Sequence, residues 1–287
     1  MKQISKIFLS KGLLAQHRQF TSALISFLNN QSISPNLIDN TKDIWLRDFM
    51  PIQVAPTEFV QFSLTRNYYN KEDRHKQTDP TPICKALDIN PTPIICNSMP
   101  IYLDGGNVIR GYGKAIITEK VFNDNKDIPP ADLVGILRDA LQVDQVIFIP
   151  VEPLDETGHS DGMVRFVDEL TVLANDYLKI DVPQDFRDRF YGALDEAGLE
   201  VLLVPYNPSE ERINGYQSAV GCYINFLQVG DKVFLPTFED PVNDAMAIKR
   251  FEEIYGLRNI IPIPSHDVAK GGGVLNCLSW EIFPDGE

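Results

Sequence analysis

Four short segments hold residue types that could do chemistry together. Gly158-His159-Ser160-Asp161 sets an imidazole two residues from a carboxylate. In extended chain the two side chains point to one side, and a neighbouring acid raises a histidine's pKa and suits it to acid/base work. The pair also reads as half a metal site or as an ordinary surface turn. His17, His75 and His266 are scattered and supply no second metal motif. Lys270-Gly271-Gly272-Gly273 leads through Val274-Leu275-Asn276 to Cys277, in what reads as an apolar strand. Three successive glycines must serve a backbone need. The thiol they deliver is either a nucleophile or a buried structural cysteine, the usual fate of a free one.

The other two segments are weaker when taken alone. Asp43-Ile44-Trp45-Leu46-Arg47-Asp48 lies in an extended apolar context closed by Pro51. Strand alternation would send Trp45 and Arg47 to one face and Asp48 to the other, which by itself describes a surface Arg–Asp pair beside a core Trp. Tyr102-Leu103-Asp104-Gly105-Gly106-Asn107 has paired glycines that let backbone approach closely. It lacks the Lys-Ser/Thr ending of a phosphate loop, so it does not read as a nucleotide site.

Short strands and amphipathic helices must position these segments. Hydrophobic periodicity predicts strands at 4–9, 35–39, 49–54 and 59–64, with helices over 13–29 and 78–87. The texture then repeats. Strands fall at 113–118 and 145–149 around a helix at 130–141, and strands at 163–167, 171–175 and 200–204 bracket a helix at 183–197. A hairpin of 222–229 and 232–237 turns at Gly230-Asp231, a pair suited to tight reversal. A helix at 242–255 and strands at 259–263 and 274–282 finish the chain. Units of several strands to one helix indicate an α/β protein with quasi-repeats rather than one doubly wound sheet. Stretches 66–82 and 123–130 read as surface loops, and no linker divides the 287 residues.

Forty acidic against 26 basic residues give a net charge of −14, which excludes the basic stripes of a nucleic-acid binder. A negative field concentrates cations, although acidity alone also serves solubility. Cys84, Cys96, Cys222 and Cys277 form no CxxC pair and read as free thiols in a reducing compartment. Lys6 and Lys11 interrupt the apolar start, so it is not read as a signal peptide. No stretch has the length to span a membrane, and the expected location is cytoplasmic. Homo-oligomerisation is among the states the sequence leaves open. His266-Asp267 reads as a surface turn.

In order and wording the segments resemble the agmatine deiminase and bacterial peptidylarginine deiminase family of the guanidine-modifying (pentein) superfamily. The resemblance rests on Trp-x-Arg-Asp, Asp-Gly-Gly-Asn, Gly-His-x-Asp, Gly-Gly-Gly-x-x-x-Cys and Tyr223-Ile224-Asn225, and runs from about Asp43 to Trp280. It implies a five-bladed α/β propeller of ββαβ units around a central site, with one catalytic domain over residues 1–287. It also implies Cys277 as nucleophile, His159 as acid/base, and Asp104 orienting His159 where relatives often have Glu. Asp48 and Asp161 would hold the guanidinium, with Asn225, Trp45 and Arg47 in the substrate-binding set. No metal or organic cofactor is implied. The partner is a small cationic guanidino substrate, agmatine first, giving N-carbamoylputrescine and ammonia. Peptidylarginine or arginine deimination, amidino transfer, a catalytically silent pentein binding module and an unrelated Cys–His hydrolase are the alternatives. Residues 1–30 lack the Trp-Glu-Pro-rich segment of agmatine-acting relatives, and this bears on the pocket for the substrate's tail.

Overall fold

The computed structural model describes residues 5–64, 77–153, 155–213 and 215–284. Most of the expected 66–82 loop, together with His75, lies outside these residues.

Strand β1 (Lys6–Ser10) opens the chain, and the Ser10 hydroxyl accepts from Gly12 N to start helix α1 (Lys11–Gln16). The expected helix at 13–29 is two helices, because the backbone leaves helical geometry at His17 before α2 (Arg18–Asn30). Strand β2 (Asn36–Ile38) returns parallel to β1. After one helical turn, α3 (Leu46–Phe49), strands β3 (Ile52–Ala55) and β4 (Glu58–Gln61) form a hairpin; α4 (Thr81–Ala86) then leads to β5 (Thr92–Pro93), parallel to β4. A small hairpin follows, β6 (Ile95–Cys96) with β7 (Met99–Pro100).

The same connectivity recurs. Strands β8 (Ile109–Gly111) and β9 (Lys114–Thr118) pair antiparallel; α5 (Lys120–Asp124) and α6 (Pro130–Leu141) then lead to β10 (Gln145–Ile149), parallel to β9. Strands β11 (Val164–Phe166) and β12 (Thr171–Asn175), helix α7 (Gln184–Glu196) and β13 (Glu200–Val204) make a sheet of order β11-β12-β13. After the short hairpin β14 (Arg212–Ile213) and β15 (Tyr216–Gln217) comes another round. It comprises β16 (Leu227–Val229), β17 (Lys232–Thr237), α8 (Pro241–Tyr255) and β18 (Ile260–Pro264). Two helical turns, α9 (His266–Ala269) and α10 (Leu275–Leu278), precede β19 (Ser279–Ile282), which pairs antiparallel with β1.

The described residues thus hold five three-stranded sheets with one helical crossover each, in a mixed α/β fold. The crossovers are required because parallel strands cannot be joined by a tight turn. Central strands β9 and β12 are buried at four successive positions, so they lose the alternation of a half-exposed strand. Helix α6 contributes Leu133, Leu137 and Leu141, spaced one turn apart, to a core with Ala115, Ile117 and Val143. Gly230, at φ +61°, makes the expected tight turn between β16 and β17.

Contacts gather the chain into two compact units. The first takes Met1–Leu46, Ala174–Asp181 and Leu203–Pro284; the second takes Arg47–Leu173 and Val182–Leu202. Among the described residues no helix is long and apolar enough to cross a membrane.

Three local expectations are corrected. The Trp-x-Arg-Asp segment is not extended: Leu46–Phe49 is a helical turn, so strand alternation does not place Trp45, Arg47 and Asp48. Residues 274–282 are not one strand, since Cys277 lies in α10 and only Ser279 onward pairs with β1. Residues 274–281 are all buried, so no periodicity separated turn from strand. The hairpin arm expected from residue 222 begins at Leu227, because Cys222 makes an isolated β-bridge to Tyr206 and residues 223–225 form a buried turn that carries Asn225.

Candidate active site

The second unit surrounds His159 with acids. Its Nε2 lies 3.0 Å from Asp104 Oδ2 and its Nδ1 lies 3.6 Å from Asp48 Oδ1. Asp48 comes from α3, and Asp104 precedes the 3-10 turn Gly105–Asn107. Asp161 lies in a second 3-10 turn, Ser160–Gly162, so the His159–Asp161 relation is not that of an extended strand as expected. All three carboxylates nonetheless act on the imidazole. Burial is the largest single influence on its proton affinity and lowers it. The charge of Asp48, the hydrogen bond and charge of Asp104, and the charge of Asp161 outweigh that, pushing His159 from 6.5 up to about 9.

Glycine makes this arrangement sterically feasible. A Cβ on Gly106 would lie 2.7 Å from both Asp48 Oδ1 and His159 Nδ1, and one on Gly105 only 2.0 Å from the Arg47 carbonyl oxygen. The pair therefore seats the Asp104 turn directly against α3. Asn107 fastens the turn from behind, its Oδ1 accepting from Thr118 N at 2.9 Å and Ser160 N at 3.3 Å. We expect Gly106→Ala to cost about 1–3 kcal/mol through overpacking. An unchanged denaturation midpoint would show that Asp48 and His159 have room to part.

The first unit holds the thiol. Asn225 Nδ2 donates to Cys277 Sγ at 3.2 Å, while Cys277 N donates to Asn225 Oδ1 at 3.3 Å. The Asn225 carbonyl accepts from Asn276 N at 3.2 Å, so one residue fixes the backbone and the sulfur together. Tyr223 anchors the same turn by donating to Asp244 Oδ1 at 2.8 Å. The glycine run answers two needs. Gly272 has φ +95°, and a Cβ on Gly273 would sit 2.8 Å from the Trp45 ring. Trp45 thus lies against the glycines that lead to Cys277. An amide donor at sulfur stabilises negative charge there.

The four motifs therefore divide into two clusters. Asp48, Asp104, His159 and Asp161 are together in the second unit, with Arg47 half-buried beside Asp48 in sequence; Trp45, Asn225 and Cys277 are together in the first. Asp104 reaches His159 directly despite being shorter than Glu. Cys84 and Cys222 are buried, Cys96 is half-buried, and none of the four cysteines is disulfide-bonded. His266 occupies the turn α9, its Nδ1 2.9 Å from the Phe238 carbonyl oxygen. Among the described residues no three His, Cys, Asp or Glu side chains are grouped to hold a metal ion. Sequence reasoning missed Asp155, which accepts from Thr157 N and His159 N and shapes the histidine loop. Its signal was the Asp-x-Thr spacing of an Asx turn. It also missed Lys120, discussed below.

Solved structures share this fold. Agmatine deiminase from C. jejuni matches with a TM-score of 0.72 at 18% identity, over 98% of this chain and 94% of its own. Agmatine deiminase of Enterococcus faecalis matches at 0.69 and 18%, over 98% and 94%. More distantly, DDAH from Pseudomonas aeruginosa in complex with citrulline matches at 0.56 and 12%, over 97% and 99%. These neighbours share the mixed α/β fold of this chain. The family model for Porphyromonas-type peptidyl-arginine deiminase matches residues 13–282, and the chain belongs to that family. Agmatine deiminase from Ectopseudomonas mendocina (strain ymp) is 28% identical over 209 residues, 62% of this chain and 56% of its own. A relative from Shewanella sp. (strain MR-4) is 28% identical over 219 residues, 66% and 58% respectively, so the match spans under two thirds of such relatives.

Proposed function

We propose that this chain is a guanidine deiminase that converts agmatine to N-carbamoylputrescine and ammonia. The observation that carries the reading is His159 held between Asp104 and Asp48, on a chain that also presents Cys277 to an amide donor. Family membership and agmatine deiminase relatives support it. In the same reading the five sheets of repeated connectivity are the blades of a five-bladed α/β propeller that forms one catalytic domain.

The chemistry follows from the substrate. A guanidinium is a planar cation with five donors, and Asp48 and Asp161 hold its nitrogens by charge-assisted hydrogen bonds. A free thiol is only a few per cent ionised at neutral pH, and the bound cation, protonated His159 and the Asn225 amide all favour the thiolate. Sγ of Cys277 adds to the central carbon. His159 gives its proton to the departing nitrogen, the C–N bond breaks, and ammonia leaves a covalent thiouronium. Neutral His159 then takes a proton from water, and the resulting hydroxide adds to the carbon. The C–S bond breaks and the hydroxyl proton passes to solvent, returning thiolate, protonated His159 and a neutral ureido product.

The family's description favours a second substrate, an arginine side chain in a peptide. A ureido assay against agmatine, free arginine, arginine peptides and simple guanidines separates the two. Agmatine is expected to give the highest kcat/KM. Product from peptides alone would replace the substrate and keep the chemistry. Product that forms only when an amine acceptor is supplied would instead make it an amidinotransferase.

A further inference from the structure

Behind the histidine lies a buried cation that the reaction scheme above does not use. Lys120, the first residue of α5, donates to Asp124 Oδ2 at 2.7 Å and to Asp104 Oδ2 at 3.3 Å. Its side chain is 11% exposed and Asp104's is 0%. The same Asp104 oxygen is 3.0 Å from His159 Nε2, so one carboxylate oxygen is shared by the ammonium and the imidazole. The histidine loop also closes on the lysine stem: Gly158 has φ +64°, and a Cβ there would lie 2.9 Å from Lys120 Cδ. Burial is the largest influence on the ammonium and lowers its proton affinity, but Asp104 and Asp124 outweigh it, so Lys120 stays charged. A buried Lys held by two buried acids needs a reason, because desolvating such a set is costly unless it is complete.

We propose that Lys120 is a positioning residue that acts through Asp104. Its ammonium fixes the carboxylate against His159 and limits how tightly that carboxylate holds the imidazole's proton. The charged groups acting on His159 are Asp48 from α3, Asp104 from its turn and Asp161 from the histidine's own turn. Lys120 with Asp124 from α5 stands behind Asp104. Lys120 is the cation among these groups. Without it, negative charge would hold the proton on His159, and the neutral base needed to activate water would form poorly. This consequence rests on the deiminase reading; the electrostatic coupling does not.

The test reads the titration of His159 directly. The chain has 4 histidines, and the His159 ring signal in isotope-labelled protein is assigned by its disappearance in His159→Gln. Lys120→Met is expected to raise the midpoint by about one unit or more, as loss of a neighbouring cation should. Lys120→Arg should stay near the parent protein. Asp124→Asn is expected to move the midpoint down, because it leaves more of the ammonium's charge uncompensated beside Asp104. That second variant carries the test if Lys120→Met does not fold. Midpoints unchanged in the folded variants, or moved the same way by both, would overturn the proposal. In turnover, intact mass during reaction with agmatine should show Lys120→Met accumulating the covalent adduct relative to the parent. Midpoints that move as stated in a protein inactive on every guanidine would sink the deiminase reading and leave the coupling standing. Activity with unmoved midpoints would do the reverse.

Discussion

Cys277→Ala is expected to lower ureido-product formation by at least about 10⁴-fold, since removing a covalent nucleophile leaves only binding and electrostatics. The fold should survive, because the change deletes one buried atom from α10 and leaves the Cys277 N to Asn225 Oδ1 bond in place. A haloacetamidine should label the parent protein once at Cys277 and leave the variant unlabelled there. The other thiols make this a specific readout. Burial, with the charge of Asp79 and against one backbone hydrogen bond, pushes Cys84 up to about 11, and Cys222 is also buried. Only half-buried Cys96 needs peptide mapping to be set aside. Undiminished turnover by the folded variant would remove Cys277 from the mechanism and with it the pentein chemistry.

Turnover should fall about 10²–10⁴-fold in His159→Gln, the usual worth of a general acid/base. A separate pH signature is expected. The folded protein holds the His159 proton up to about 9, against an ordinary 6.5. A raised pKa contributes stability that is fully present below 6.5 and is lost as pH rises through about 9. The parent's thermal midpoint should therefore decline between these values, and His159→Gln should decline less steeply in the same window. The acid role predicts that activity also falls off as pH passes about 9. Equal slopes for both proteins would mean that the three carboxylates do not hold the proton on His159.

Helices over 130–141 and 183–197 were legible because each repeats an apolar residue once per turn: Leu133, Leu137 and Leu141 in one, Phe186, Phe190 and Leu194 in the other. The Gly230-Asp231 reversal was equally plain, since its geometry is local. The segments that carry chemistry were less so. Leu46–Phe49 and Leu275–Leu278 are single helical turns inside apolar runs, too short for a period to register. Their conformation answers to distant partners: Gly105 against the Arg47 carbonyl, Asn225 against Cys277.

The amino-acid sequence by itself determined the reactive groups and their order: acid, turn acid, histidine with acid, amide, thiol. It also determined the repeated strand–helix texture, because residue types and periodicities are properties of the chain. Only tertiary structure decided which groups touch. The sharing of one Asp104 oxygen between His159 and Lys120 joins residues 104, 120 and 159, and the Asn225–Cys277 bond spans 52 positions. No local rule encodes such distances. They arise when packing brings separate turns together in a buried space, where desolvation makes each unmet charge costly and each bond between partners decisive.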